Sequence, residues 1–81
     1  INSKLRFTYK EQKEYETIEE DIAALEARLE QLEAEMEEAA SQYARLEQLM
    51  QEKEEAEQAL EEKMDRWVYL SELAQRIEEQ G

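Results

Sequence analysis

Eighty-one residues allow one domain at most, and an elongated helical chain of that size buries a small core for its length. There is no His, Cys or Pro, and the single Gly is residue 81, which excludes a disulfide framework, a thiolate zinc site and a glycine-rich phosphate loop. Charged side chains make up 41% of the chain and leave a net charge of −13, a balance that suits long exposed helices and repels phosphate backbones.

That charge is unevenly placed. Residues 1–13 carry Lys4, Arg6, Lys10 and Lys13 against Glu11 alone, whereas the rest of the chain holds six basic and 22 acidic side chains. Residues 1–8 read as a short extended lead-in, with Leu5 and Phe7 on one side. Thr8-Tyr9-Lys10-Glu11 then forms a capping box: the Thr8 hydroxyl accepts from the Glu11 amide and the Glu11 carboxylate reaches back. A first helix is expected over about residues 9–38, roughly 45 Å long. Its apolar positions, Tyr15, Ile18, Ile22, Leu25, Leu29, Leu32 and Met36, alternate strictly by three and four. That is a coiled-coil seam of a and d residues, with little but Glu, Gln, Ala and Arg around it. A disordered acidic tail has no reason to keep its leucines in phase.

Glu38-Ala39-Ala40-Ser41-Gln42 carries no Gly or Pro to mark a turn, and the heptad frame runs on through Met36, Ala39, Tyr43, Leu46 and Met50. One continuous helix dimerising in parallel is therefore a competitor. Its seam continues as Lys53, Glu57, Leu60, Met64 and Trp67, and an in-register dimer sets Glu57 against Glu57 and Lys53 against Lys53. A hairpin folded about Ser41 removes that conflict. It pairs Met36 with Leu46, Leu32 with Met50, Ile22 with Leu60, Ile18 with Met64 and Tyr15 with Trp67, the paired numbers summing to 82. Arg28 then comes within reach of Glu54 and Glu57, and Lys53 lays its stem against Leu29.

The second helix is expected over about residues 42–79, after a turn at about 39–41, with Ser41 as its N-cap. Leu49, Ala56, Leu70 and Ile77 lie beside its main seam and broaden the stripe. Its overhang past the first helix holds Trp67, Val68, Tyr69, Leu70, Leu73 and Ile77, and Leu5, Phe7 and Tyr9 can cover it if the lead-in folds back. The expected fold is all-α: an antiparallel two-helix coiled-coil hairpin over residues 9–81, with a basic lead-in over 1–8 packing at its base. Such a hairpin buries its own seam and is expected to be monomeric.

Candidate chemistry is sparse. The acidic pairs Glu19-Glu20-Asp21, Glu37-Glu38, Glu54-Glu55 and Glu61-Glu62 fall on solvated faces, whereas carboxylate catalysis needs two acids in different environments around a cleft. No Asp-x-Asp-x-Asp-Gly loop offers a calcium site. Trp67, Tyr69 and Tyr43 carry π-faces that can stack on bases, but their helical spacing favours core. Lys4, Arg6, Lys10 and Lys13 form either a nucleic-acid contact or a solvated end balancing the acidic body. Acidic helix faces oppose membrane binding, and no apolar run approaches the roughly 20 residues that span a bilayer. The chain opens Ile1-Asn2-Ser3, without Met, and reads as a segment of a longer soluble intracellular protein.

The run Lys4-Leu5-Arg6-Phe7-Thr8-Tyr9-Lys10-Glu11-Gln12-Lys13-Glu14, followed by Ile18 and the heptads, resembles the opening of the C-terminal domain of Uup-type ABC-F ATPases. That domain starts with a K-L-S-Y-K-E-Q-like signature and closes with an R-W-x-x-L-like element. Here the closing element is Arg66-Trp67-Val68-Tyr69-Leu70, preceded by Leu60-Glu61-Glu62-Lys63-Met64. The resemblance implies a cytoplasmic bacterial protein with two ATPase domains outside this segment, where ATP and Mg are expected; the segment itself is expected to hold no catalytic, cofactor or metal site. It further implies an accessory coiled coil acting with the ribosome or another nucleoprotein, and DNA binding has been attributed to the domain. This copy is far more acidic than a DNA-binding module. The function it points to is a non-catalytic coiled coil that modulates how the ATPase engages its partner, with a DNA-binding module or a plain dimerisation rod as the alternatives.

Overall fold

The computed structural model describes residues 4–81; Ile1, Asn2 and Ser3 of the expected lead-in lie outside the described residues. Two helices, α1 (Tyr9–Glu38) and α2 (Tyr43–Glu79), form an antiparallel hairpin of 65 × 16 × 16 Å. α1 starts where its capping box sets it. The Glu11 amide donates to Thr8 Oγ1 at 3.1 Å, and the Thr8 amide donates to Glu11 Oε1 at 2.9 Å. Two of the amides that a helix start leaves without partners are thereby satisfied.

The turn needs no glycine. Among the described residues none has a positive φ, and the chain reverses through the Gln42 amide donating to the Ala39 carbonyl at 2.8 Å. Ser41 sits inside that turn and is not the N-cap, contrary to the sequence expectation. The N-cap is Gln42, whose side chain makes no capping bond, because the first backbone bond of α2 runs from Leu46 to the Gln42 carbonyl. Ala39 is buried beneath the turn, where a larger side chain would hold the helices apart.

The core is a thin line. Ile18, Leu32, Leu49 and Leu70 are fully or almost fully buried, and Leu32, Ala39, Leu49 and Ala56 form one cluster with Leu29 and Met36 against it. Each of the large residues contributes roughly 1.5–3 kcal/mol of apolar burial. In α1 the seven seam positions from Tyr15 to Met36 are all buried or half-buried.

In α2 the seam differs from the sequence expectation. Met50, Met64 and Trp67 stand 55%, 49% and 38% exposed, whereas Leu49 is 1% exposed and Ala56 and Leu70 are buried. The buried face steps through Leu46, Leu49, Lys53, Ala56, Leu60, Lys63, Leu70, Ala74 and Ile77. Two three–four frames overlap here and share Leu46, Lys53, Leu60, Trp67 and Ala74, of which Trp67 stays exposed. The frame through Met50 and Met64 puts Glu57 in the seam, and burying an unpaired carboxylate is costly. The frame through Leu49 and Ala56 buries Lys63 instead, and a lysine can lay its stem along the seam and lift its ammonium to the edge.

The lead-in folds back along the base. The Phe7 ring lies 5.2 Å from that of Tyr15, tilted by 34°. The Leu5 amide donates to Gln80 Oε1 at 3.0 Å, and Gln80 Nε2 donates to the Leu5 carbonyl. Leu5 and Tyr9 themselves remain exposed. The first described residues and the last turn of α2 are thus tied together, 75 residues apart in sequence.

Candidate functional site

The two helices meet along two long edges of different chemistry. On one, α1 presents Glu14, Asp21, Arg28 and Glu35, each seven residues from the next, and α2 presents Arg45, Glu52, Ala59 and Arg66 at the same spacing. Arg45 donates to Glu35 at 3.1 Å, Arg28 to Glu52 at 2.7 Å, and Arg66 to both oxygens of Glu14 at 2.9 and 2.7 Å. The fourth rung has Ala59 where a cation is needed, and Lys63, one turn further along α2, supplies it to Asp21 at 3.3 Å. Arg28 therefore pairs with Glu52, not with Glu54 or Glu57. The same choice of α2 frame that buries Leu49 turns Glu52 toward Arg28.

Each exposed rung adds little stability, but together they fix alignment. The numbers of the Glu35–Arg45, Arg28–Glu52 and Glu14–Arg66 partners all sum to 80. A slip of one heptad one way sets Glu35 against Glu52; the other way it sets Arg28 against Arg45 and Asp21 against Glu52. Both slips bring like charges together, so the ladder holds the hairpin in one register.

At the base the ladder joins the helix start. The Tyr69 hydroxyl donates to Glu11 Oε2 at 3.0 Å, and the Arg66 guanidinium lies 4.9 Å from the Tyr69 ring centre while bound to Glu14. Hydrogen bonds from the Thr8 amide and then Tyr69 hold the Glu11 carboxyl below the ordinary carboxylate range. The Arg66 hydrogen bond does the same for Glu14, and reciprocally Arg66 is held more firmly protonated. Donation to Glu11 raises the Tyr69 phenol above its ordinary value. The group that starts α1 is thus also the group that holds α2.

The second edge is open. Met36, Ala40 and Leu46 line one shallow hollow, Leu29, Leu60 and Met64 another, and Ile22, Met64 and Trp67 a third. Among the described residues two polar contacts cross it, Lys53 to Glu33 at 3.7 Å and Trp67 Nε1 to Glu19 at 3.4 Å. Trp67 stands here because its indole N–H finds a partner at the rim.

The sequence-predicted cations Lys4, Arg6, Lys10 and Lys13 are all exposed. Lys4 and Arg6 stand on the extended lead-in, and Lys10 and Lys13 on the first turns of α1. Lys13 lies 3.8 Å from Glu16 and 5.6 Å from the Tyr9 ring centre. Among the described residues Lys4, Arg6 and Lys10 have no carboxylate within ion-pair distance. No group of three or more carboxylates among them is placed to hold a metal ion, and no helix is long and apolar enough to cross a membrane. Sequence reasoning missed the ladder, though its signal was present: charges repeating every seven residues on both helices.

Residues 6–72 match the family model described as ABC transporter C-terminal domain. A Bacillus subtilis (strain 168) protein, the uncharacterized ABC transporter ATP-binding protein YfmR, is 40% identical over 73 residues. The match covers 90% of this chain and 12% of that relative, so the chain spans about an eighth of its length. No solved structure matches.

Proposed function

The chain belongs to the ABC transporter C-terminal domain family, and from that premise we propose that it is the accessory arm of a Uup-type ABC-F ATPase, modulating how the enzyme engages the ribosome or another nucleoprotein. It is a C-terminal accessory part and not the ATPase cassette itself. In this reading the arm is a monomeric, non-catalytic piece of a cytoplasmic protein, and ATP and Mg belong to domains outside it. The observation that carries it is the shape: a rod 65 Å long whose lead-in and last turn meet at one end, leaving the turn to project. Such a rod transmits position and does no chemistry of its own. Its ladder keeps the two helices from sliding, so the tip is held relative to the base.

The test is co-sedimentation with ribosomes of the whole ATPase, with and without this arm, beside ATP turnover in their absence. Intrinsic turnover should stay nearly unchanged, while ribosome association or its nucleotide dependence shifts by at least about fivefold. An arm whose removal alters neither leaves the proposal without support.

One observation favours a second reading, a nucleic-acid contact at the base: Lys4, Arg6 and Lys10 have no ion-pair partner among the described residues. With Lys13 they neutralise about four phosphates at most, giving a log–log salt slope no steeper than about −4. Net charge opposes that contact. Fluorescence anisotropy with labelled duplex at about 0.15 M salt should show negligible binding by the chain. Submicromolar affinity abolished by changing all four cations to Ala would establish the second reading instead.

A further inference from the structure

We infer that the open edge is a docking groove for a basic amphipathic helix of a partner protein, which lies along the hairpin as a third helix. This goes beyond the accessory-arm reading and stands on the groove itself.

The floor is apolar and periodic. Ile22, Leu29 and Met36 repeat every seven residues on α1, and Met50 and Met64 stand two heptads apart on α2. Met36 and Met64 line its hollows, and Met50 borders an adjoining hollow on α2 with Tyr43, Leu46 and Glu47. Methionine side chains adapt to what they meet, and surfaces rich in them accept helices whose apolar residues recur at helical spacing. Shallow hollows between two parallel ridges receive such residues as knobs. From Met50 to Trp67 the groove follows 18 residues of α2, so its occupant is a helix about 25 Å long.

The rim decides the occupant's charge. Glu19, Glu33 and Glu37 on α1 and Glu47, Glu57, Glu61 and Asp65 on α2 border the hollows, seven carboxylates in all. Among the described residues that line it, Lys53 is the one cation, and it is already drawn to Glu33 at 3.7 Å. A second copy of the chain, at −13, would bring acid against acid, whereas a helix with lysines or arginines beside its apolar stripe meets complementary charge. Glu57 interrupts the floor midway between Met50 and Met64, and a cation in the middle of the partner's apolar face pairs with it.

Trp67 lines the groove and is the only tryptophan, so its emission reports occupancy directly. The probe is a synthetic 18-residue Leu/Lys peptide, about five helical turns, with leucines on one face and one lysine at the centre of that face. A peptide of the same composition with its leucines spread around the helix is the control. Titration of the 81-residue chain near physiological salt should give a saturable blue shift with the first peptide and binding at least about tenfold weaker with the second. The double variant Met50→Glu/Met64→Glu adds negative charge, so generic attraction would strengthen binding; loss of the floor should instead weaken it at least about tenfold. Both positions are about half exposed, and unchanged helical circular dichroism verifies the fold. Equal affinity for the two peptides, or a double variant that binds within about twofold of the parent, overturns the proposal. So does sedimentation showing the chain alone as a dimer that Met64→Glu dissolves, because a second copy would then be the occupant.

Discussion

The two edges of this hairpin share the same two helices and differ in what closes them. One is laced by rungs at Glu35–Arg45, Arg28–Glu52, Asp21–Lys63 and Glu14–Arg66; the other leaves Met50, Met64 and Trp67 partly exposed. The difference separates two tasks within one pair of helices. Charges on the laced edge choose the register, the buried line between the edges supplies the stability, and the open edge is left free of either duty. A residue's place around the helix, more than its hydrophobicity, therefore decides what its loss costs.

Adjacent residues of α2 give the sharpest break of that comparison. Leu49 is 1% exposed and Met50 is 55% exposed, although both are large and apolar. Leu49→Ala should cost about 2–4 kcal/mol, and Met50→Ala less than about 0.5 kcal/mol. Thermal melts followed by circular dichroism read both, and similar losses would mean that Met50 lies in the seam after all.

A smaller effect tests the laced edge. Arg28→Glu sets two carboxylates against each other at the Glu52 rung and should destabilise by about 1 kcal/mol. Adding Glu52→Arg restores an opposite pair in reversed order and should recover most of the loss. If the double change is as unstable as the sum of the singles, the rung is not a pair in solution.

The smallest expected effect is its pH dependence. The Arg66 hydrogen bond lowers the Glu14 carboxyl in the folded chain, so the unfolded chain binds the proton more readily. The contribution of Glu14 is therefore present above the ordinary Glu range, about 4.3, and is lost as pH falls through the lowered folded value. Glu14→Gln should reduce the melting temperature by a few degrees at neutral pH and by progressively less in acid. A difference that holds constant down to about pH 2 would show that the carboxylate charge plays no part.

How far the sequence foretells this molecule depends on how local each feature is. The capping box and the span of α1 are legible because Thr8, Glu11 and seven in-phase apolar residues act within a few turns of one another. The α2 frame is not, since Leu46, Lys53, Leu60, Trp67 and Ala74 belong to both candidate seams. Only the cost of burying Glu57, weighed against the ease of lifting the Lys63 ammonium to the edge, separates them. Carrying the α1 frame through the turn picked the wrong one and misplaced Met50, Met64 and the partner of Arg28. The turn itself is illegible for a plain reason: with every described φ negative, it requires no Gly or Pro to announce it. The basic lead-in was visible as charge, but the Gln80 clamp on Leu5 joins positions too far apart in sequence for any local pattern to show.

The place of that clamp also has a mechanical consequence. Along the laced edge and the base the bonds lie in order of sequence separation, 10 at Arg45–Glu35, then 24, 42, 52 and 58, and finally 75 at Leu5–Gln80. A chain that zips from the turn closes only a short additional loop at each step, which keeps the entropy of closure small and refolding fast. Tension applied at the two ends runs the same series backwards. Because Leu5 and Gln80 meet at the base, the load should fall on their clamp first, then on Tyr69–Glu11, then on Arg66–Glu14, one rung at a time. A rod gripped at opposite ends would share the load among all its rungs in shear; this one should open rung by rung as a zipper and close again from the turn.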